Sequence, residues 1–127
     1  MTRFLWICLA GAAGTGLRYL VALWVPSRPN GLPFATLVVN LTGCFLMGLV
    51  AHLASRSAAL SPDLRAAVTV GFLGGLTTYS AFNHETTRLL QDGAPRAALI
   101  YLSLTAFGCF AAGLAGAATA SRLTAGH

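Results

Sequence analysis

The chain contains no lysine and only three acidic residues, Asp63, Glu85 and Asp92. Charged residues make up 9% of its 127 positions, whereas a soluble domain carries about 25%. Hydrophobic residues make up 56% and mean hydropathy is +0.72. That balance excludes a soluble globular domain and indicates an integral membrane protein. The eight basic residues give a formal charge of +5 and a pI near 9.9. They stand singly, without the clustered stripe that phosphate binding requires, which argues against nucleic acid as a partner and leaves membrane lipid as the surroundings. Cys8, Cys44 and Cys109 lie within apolar runs at no metal-ligand spacing, so they read as small packing residues.

What is abundant is apolar sequence in long runs. A helical span needs roughly 20 mostly apolar residues, so this length fits a single all-α membrane domain of four spans, at about 4–24, 34–54, 63–90 and 96–120. The first run is long and leads straight into more membrane sequence, so it is expected to be a retained span rather than a cleaved leader. Three prolines with Asn30 and Gly31 mark a turn before the second span. Ser61-Pro62-Asp63 carries a capping residue, a first-turn proline and an acid at the positive end of a helix, so it opens the third. That third run is too long for one straight crossing, and a break near 74–78 at Gly74 and Gly75 resolves the excess.

The break lies inside Gly71 to Glu85, which places adjacent glycines and four hydroxyl side chains, Thr77 to Ser80, where lipid favours Leu and Val. An unwound turn bares carbonyl oxygens, tolerated in a membrane only against protein or a wet cavity. The stretch therefore reads as a broken helix that binds an ion. Carbonyls are hard ligands suited to a small monovalent cation such as sodium, and the N-termini of two half-helices suit anions. Tyr79 and Phe82, at i and i+3, either pack in the core or turn positive ring edges to an anion. Asn40 either ties helices together or donates N–H to an anion. Arg18, on the face of Gly11 and Gly14, is either an interfacial anchor or a cation at a vestibule mouth. Glu85 is an intramembrane acid, hence a candidate functional group or the partner of Arg18 or Arg88. Tyr101 and Thr105 share one face of the fourth span.

With four spans, Arg3, Arg56, Arg65 and Arg122 fall on one side and Arg18, Arg28, Arg88 and Arg96 on the other. Orientation follows the excess of basic residues in cytoplasmic loops, and this tie predicts insertion both ways round and pairing as an antiparallel, dual-topology homodimer. Such a pair also provides the interior that one four-helix unit lacks for Asn40, Arg18, Glu85 and the threonines.

Three motifs then come into line. Gly11-x-x-Gly14-x-x-x-Arg18-Tyr19, Thr36-Leu37-Val38-Val39-Asn40-x-x-Gly43-x-Phe45-x-x-Gly48 and Gly71-Phe72-x-Gly74-Gly75-x-Thr77-Thr78-x-Ser80-x-Phe82 resemble the Fluc/CrcB fluoride channels. The resemblance implies passive fluoride export through the plasma (inner) membrane of a prokaryote, by a dual-topology dimer with two antiparallel pores. It implies a structural sodium ion on backbone carbonyls at Gly74 and Thr77. It places Asn40, Tyr79, Ser80 and Phe82 along the pore, extends a polar track through Tyr101 and Thr105, and assigns Arg18 to the electropositive vestibule; Glu85, as an intramembrane acid, is expected at the same entry. Tyr79 stands where the family pattern usually has Phe, Ala81 where it usually has Thr, and Ala35 where Gly is common.

Two other classes compete. A small multidrug or guanidinium exporter also has four spans, but it needs a carboxylate to couple protons to a cation, and span one offers Arg18 instead. An intramembrane hydrolase could use Ser80 and His84 at i, i+4, but no third group orients the histidine. The chain is accordingly expected not to be an enzyme.

Overall fold

The computed structural model describes residues 1–25, 31–56 and 60–125. Arg28, Asn30, Ser57 and the last two residues, to which parts of the expected turns, charge count and tail were assigned, lie outside that set. Among the described residues all regular structure is helical: α1 (Thr2–Trp24), α2 (Phe34–Arg56), α3 (Pro62–Ala66), a π-helical segment (Ala67–Leu73), α4 (Gly74–Leu76), α5 (Tyr79–Gln91) and α6 (Pro95–Ala125). Three of these, α1, α2 and α6, are long and apolar enough to cross a membrane. Three such helices in one chain fit a multi-pass membrane protein.

Local chemistry sets the ends of the interrupted helix. Ser61 Oγ accepts the Leu64 N–H at 3.2 Å, Pro62 needs no partner for a missing N–H, and Asp63 lies in the first turn. Asp63 also meets Arg3 at 2.6 Å, an exposed pair worth little in stability that ties the start of α1 to the start of α3. At the far end, the Gly93 and Ala94 N–H groups turn back to the Leu90 and Leu89 carbonyls. Gly93, at φ 73°, takes the left-handed conformation that this helix stop requires.

The break does not fall where glycine content alone suggests. Gly74 keeps α-helical angles, φ −65° and ψ −35°, and Gly75 lies within α4. The chain leaves the helix at Thr77, whose ψ is 153°, and at Thr78, with φ −151° and ψ 119°. The glycines serve close packing instead. A Cβ on Gly71 would stand 2.6 Å from Ile7 O, and one on Gly14 would strike Phe72 O. Small residues thus let α1 lie against the π-helical segment and α4, backbone on backbone.

The second helix pair is α2 with α6, and it uses the same device. A Cβ on Gly48 would meet Gly113 O, and one on Gly116 would meet Phe45 O. Between the pairs lie two apolar clusters. One gathers Leu37, Phe82, Leu89, Ala98 and Tyr101; the other gathers Val39, Leu73 and Leu76. The first fastens α5 to α6, the second holds the end of the interrupted helix against α2, and the break sits between them.

Gly116→Ala is expected to destabilise the fold by about 1–3 kcal/mol through overpacking against the α2 backbone. Gly113→Ala, whose Cβ finds only ordinary contact at 3.7 Å from Cys44 O, is expected to be nearly neutral. Thermal unfolding in detergent compares the two, and equal melting temperatures would contradict the packing described.

Candidate functional site

The break is held open by one side chain. Asn40, buried on α2, accepts the Thr78 N–H on Oδ1 at 2.8 Å and donates from Nδ2 to the Thr78 carbonyl at 3.1 Å. A neutral amide thereby satisfies both polar groups of a residue that no helix can serve. Gly43, three residues on, leaves room for the Thr77 methyl, which a Cβ there would overlap. Thr78 also begins the next helix, because its Oγ1 accepts the Ala81 N–H at 3.2 Å.

These two bonds have a consequence for the carbonyls. In a continuous helix the Thr78 N–H would close on Gly74 O and the Ala81 N–H on Thr77 O. Both donors are diverted, one to Asn40 and one to the Thr78 hydroxyl. Gly74 and Thr77 therefore present oxygens relieved of their helical donors. The Thr77 N–H and hydroxyl both turn back to Leu73 O, at 3.0 and 2.9 Å. Among the described residues no group of three or more His, Cys, Asp or Glu side chains could hold a metal, so backbone oxygens are the donor set that the break offers a hard cation.

Beside the break opens a cleft of about 510 Å³. Asn40 and Cys44 line it from α2, Thr77 and Thr78 from the break, Tyr79 and Phe82 from α5, and Thr105 and Cys109 from α6. Thr105 is 7% exposed, and its hydroxyl has no hydrogen-bond partner among the described residues. A buried polar atom left unpaired costs about 1–3 kcal/mol, so its place on the cleft wall is informative. The N-terminus of α5, at Thr78, also reaches this wall and brings the positive end of a helix dipole to it.

The aromatic residues form a row. Tyr79 and Phe82 rings lie 5.6 Å apart at 60°, and Phe82 and Tyr101 lie 5.3 Å apart at 60°. Tyr79 is 78% exposed in the single chain, whereas Tyr101 is fully buried. The Tyr101 hydroxyl donates to Glu85 Oε2 at 2.6 Å, and the Thr36 hydroxyl donates to Glu85 Oε1 at 2.7 Å. Glu85 thus joins α2, α5 and α6 through hydroxyls, and among the described residues neither Arg18 nor Arg88 pairs with it. Arg88 instead faces Asp92 at 3.6 Å.

The remaining candidates are more dispersed. Ser80 is exposed and lies 3.1 Å from the Thr78 hydroxyl; it does not line the cleft. Arg18 donates from Nε to Gly75 O at 3.2 Å, and Thr15 reaches the same oxygen at 3.4 Å, so the arginine caps the carbonyl end of α4. Sequence reading gave Thr36 and Thr78 no individual role and took Cys44 and Cys109 only as packing residues. Thr36 precedes Asn40 by four residues and Cys44 follows it by four, a spacing that puts all three on one helix face and carried the missing signal.

Comparison with known proteins identifies the family. Residues 5–117 match the family described as CrcB-like protein, Camphor Resistance (CrcB). A protein of Sorangium cellulosum named fluoride-specific ion channel FluC is 42% identical over 127 residues, 99% of this chain and 100% of the relative. Proteins of the same name are 46% identical in Geobacter sp. (strain M21), over 86% of this chain and 89% of the relative, and 45% identical in Chlorobaculum tepidum, over 91% and 88%. These relatives are named as ion channels, not as enzymes. From the motifs of its first three helical runs and a match spanning nearly its whole length, the chain belongs to the CrcB/Fluc family of ion channels.

Proposed function

We propose that this protein is a fluoride-selective channel that lets fluoride leave the cytoplasm passively across the inner membrane of a prokaryote. Hydrogen fluoride is a weak acid that enters uncharged, dissociates in a neutral cytoplasm and is trapped as the anion; a pathway for the anion alone releases it. The observation that carries this reading is the cleft at the break, which Asn40 and Thr105 both line, Thr105 with a buried hydroxyl that has no partner among the described residues. Fluoride is small and strongly hydrated, so a pore must replace water with donors. The second N–H of Asn40, the Thr105 hydroxyl, the first N–H groups of α5 and the ring edges of Tyr79 and Phe82 supply donors and positive edges without a full charge that would hold the ion. Tyr101 and Glu85 continue the polar track, Ser80 lies beside it, and Arg18 adds positive potential at its mouth.

The working unit in this proposal is an antiparallel homodimer of four-span subunits inserted in both orientations, with two pores. The even division of arginines supports it, as does the exposure of Tyr79, a ring that a partner subunit would cover. Gly74 and Thr77 carbonyls would hold a structural sodium ion on the dimer axis, and the diversion of their helical donors suits them to that role. When bound, sodium supplies a positive charge that joins the two broken helices.

Liposomes carrying the purified protein are expected to release fluoride rapidly without a pH gradient and to retain chloride, with flux lost in Asn40→Asp, which keeps an acceptor for Thr78 N–H but adds an anionic charge at the wall. Proton-coupled cation transport without fluoride release would instead indicate an exporter. Thr105→Val keeps the shape and removes the hydroxyl. It is expected to keep or raise thermal stability, since that hydroxyl has no partner among the described residues, and to slow fluoride efflux by about tenfold, the loss of one hydrogen bond to a charged group of about 1.5 kcal/mol. Unchanged efflux in this variant would remove Thr105 from the pathway.

A further inference from the structure

Two of the three cysteines have a shared place in the fold. Cys44 lies one helical turn beyond Asn40 on α2, and Cys109 lies one turn beyond Thr105 on α6. Both are free and half-buried, and both line the same cleft from helices that pack closely on each other. The helices are pressed together around them: Gly113 stands against the Cys44 carbonyl, Gly108 against Leu41 and Gly116 against Phe45. The pair is therefore held across a close interhelical contact. Cys8, exposed on α1, has no part in it.

We propose that Cys44 and Cys109 form a binding site for a soft monovalent cation of the cuprous or silver class, and that its occupancy closes the cleft. Soft thiolates select such d¹⁰ ions, which accept two ligands in line. Cations that require four to six ligands are poorly served, because no cluster of three or more metal-binding side chains occurs among the described residues. Binding forms two sulfur–metal bonds and breaks two S–H bonds; both protons leave through the cleft to water, and no electron is transferred. The product, one monovalent metal on two thiolates, carries a net negative charge. It blocks an anion in two ways, by filling the side of the cleft that Cys44 and Cys109 line and by repelling the ion.

Closure of the anion path rests on the proposed channel function, whereas the metal site itself does not, so the test has two separate readouts. The reconstituted protein is titrated with silver nitrate in chloride-free buffer. Proton release, protection of each cysteine from maleimide mapped by mass spectrometry, and fluoride efflux are all followed. One silver per chain is expected, with two protons released, joint protection of Cys44 and Cys109, and loss of most efflux. Cys44→Ser and Cys109→Ser should each abolish stoichiometric binding and keep efflux in silver close to that variant's own silver-free rate, while Cys8→Ser should behave as the unaltered protein. Binding that survives in either single variant, or inhibition that disappears with Cys8→Ser, would overturn the site. Stoichiometric binding with undiminished efflux would overturn the closure. Absence of any fluoride efflux before silver is added would refute the channel reading, while the proton and protection data still decide the site.

Discussion

A single amide holds open a break that lipid would otherwise close. Asn40 takes both the N–H and the carbonyl of Thr78, and without it two part-buried backbone groups would lose their protein partners. Everything nearby follows from that exchange. The Thr78 N–H no longer serves Gly74, the Thr78 hydroxyl serves Ala81, and α5 starts afresh with its N-terminus on the cleft wall. One contact thus frees carbonyls on one side of the break and aims N–H dipoles on the other, which is how a single region would serve both the proposed sodium ion and the proposed fluoride path.

The clasp needs its two helices fixed, and the chain fixes them by removing side chains rather than adding them. Hydrophobic contact gives helices little reason to associate when their surroundings are equally apolar; close backbone approach supplies dispersion instead. Glycines on α1 and the interrupted helix, and on α2 and α6, occur where a Cβ would meet a carbonyl across the contact. Arg18 and Thr15 complete the frame by donating to Gly75 O at the end of α4. The arginine that sequence alone assigns to an anchor or a vestibule therefore also has a bonding role beside the break.

Much of this was legible in sequence, and the remainder had specific physical reasons to be hidden. The helix start at Ser61-Pro62-Asp63 follows from capping chemistry, and the resemblance pointed to the family through glycine and threonine spacing that close packing demands. Helix ends were less visible, since α6 runs to Ala125 where hydropathy fades earlier. The break was placed at the glycines because glycine permits unwinding, yet permission is not cause. The threonines leave the helix because Asn40, 38 residues away, offers a better partner, and no local pattern encodes that. Glu85 offered arginines as partners by charge; the fold gives it Thr36 and Tyr101 instead. The cysteines were read singly as packing residues, and their pairing appears only when α2 and α6 are brought together.

Amide hydrogen exchange at Thr78, compared between the unaltered protein and Asn40→Ala in the same detergent, reaches the clasp itself. The account predicts strong protection of the Thr78 N–H in the first and rapid exchange in the second, with Leu76 little changed in both. Equal protection of Thr78 with and without the Asn40 side chain would contradict the claim that this amide holds the helix apart.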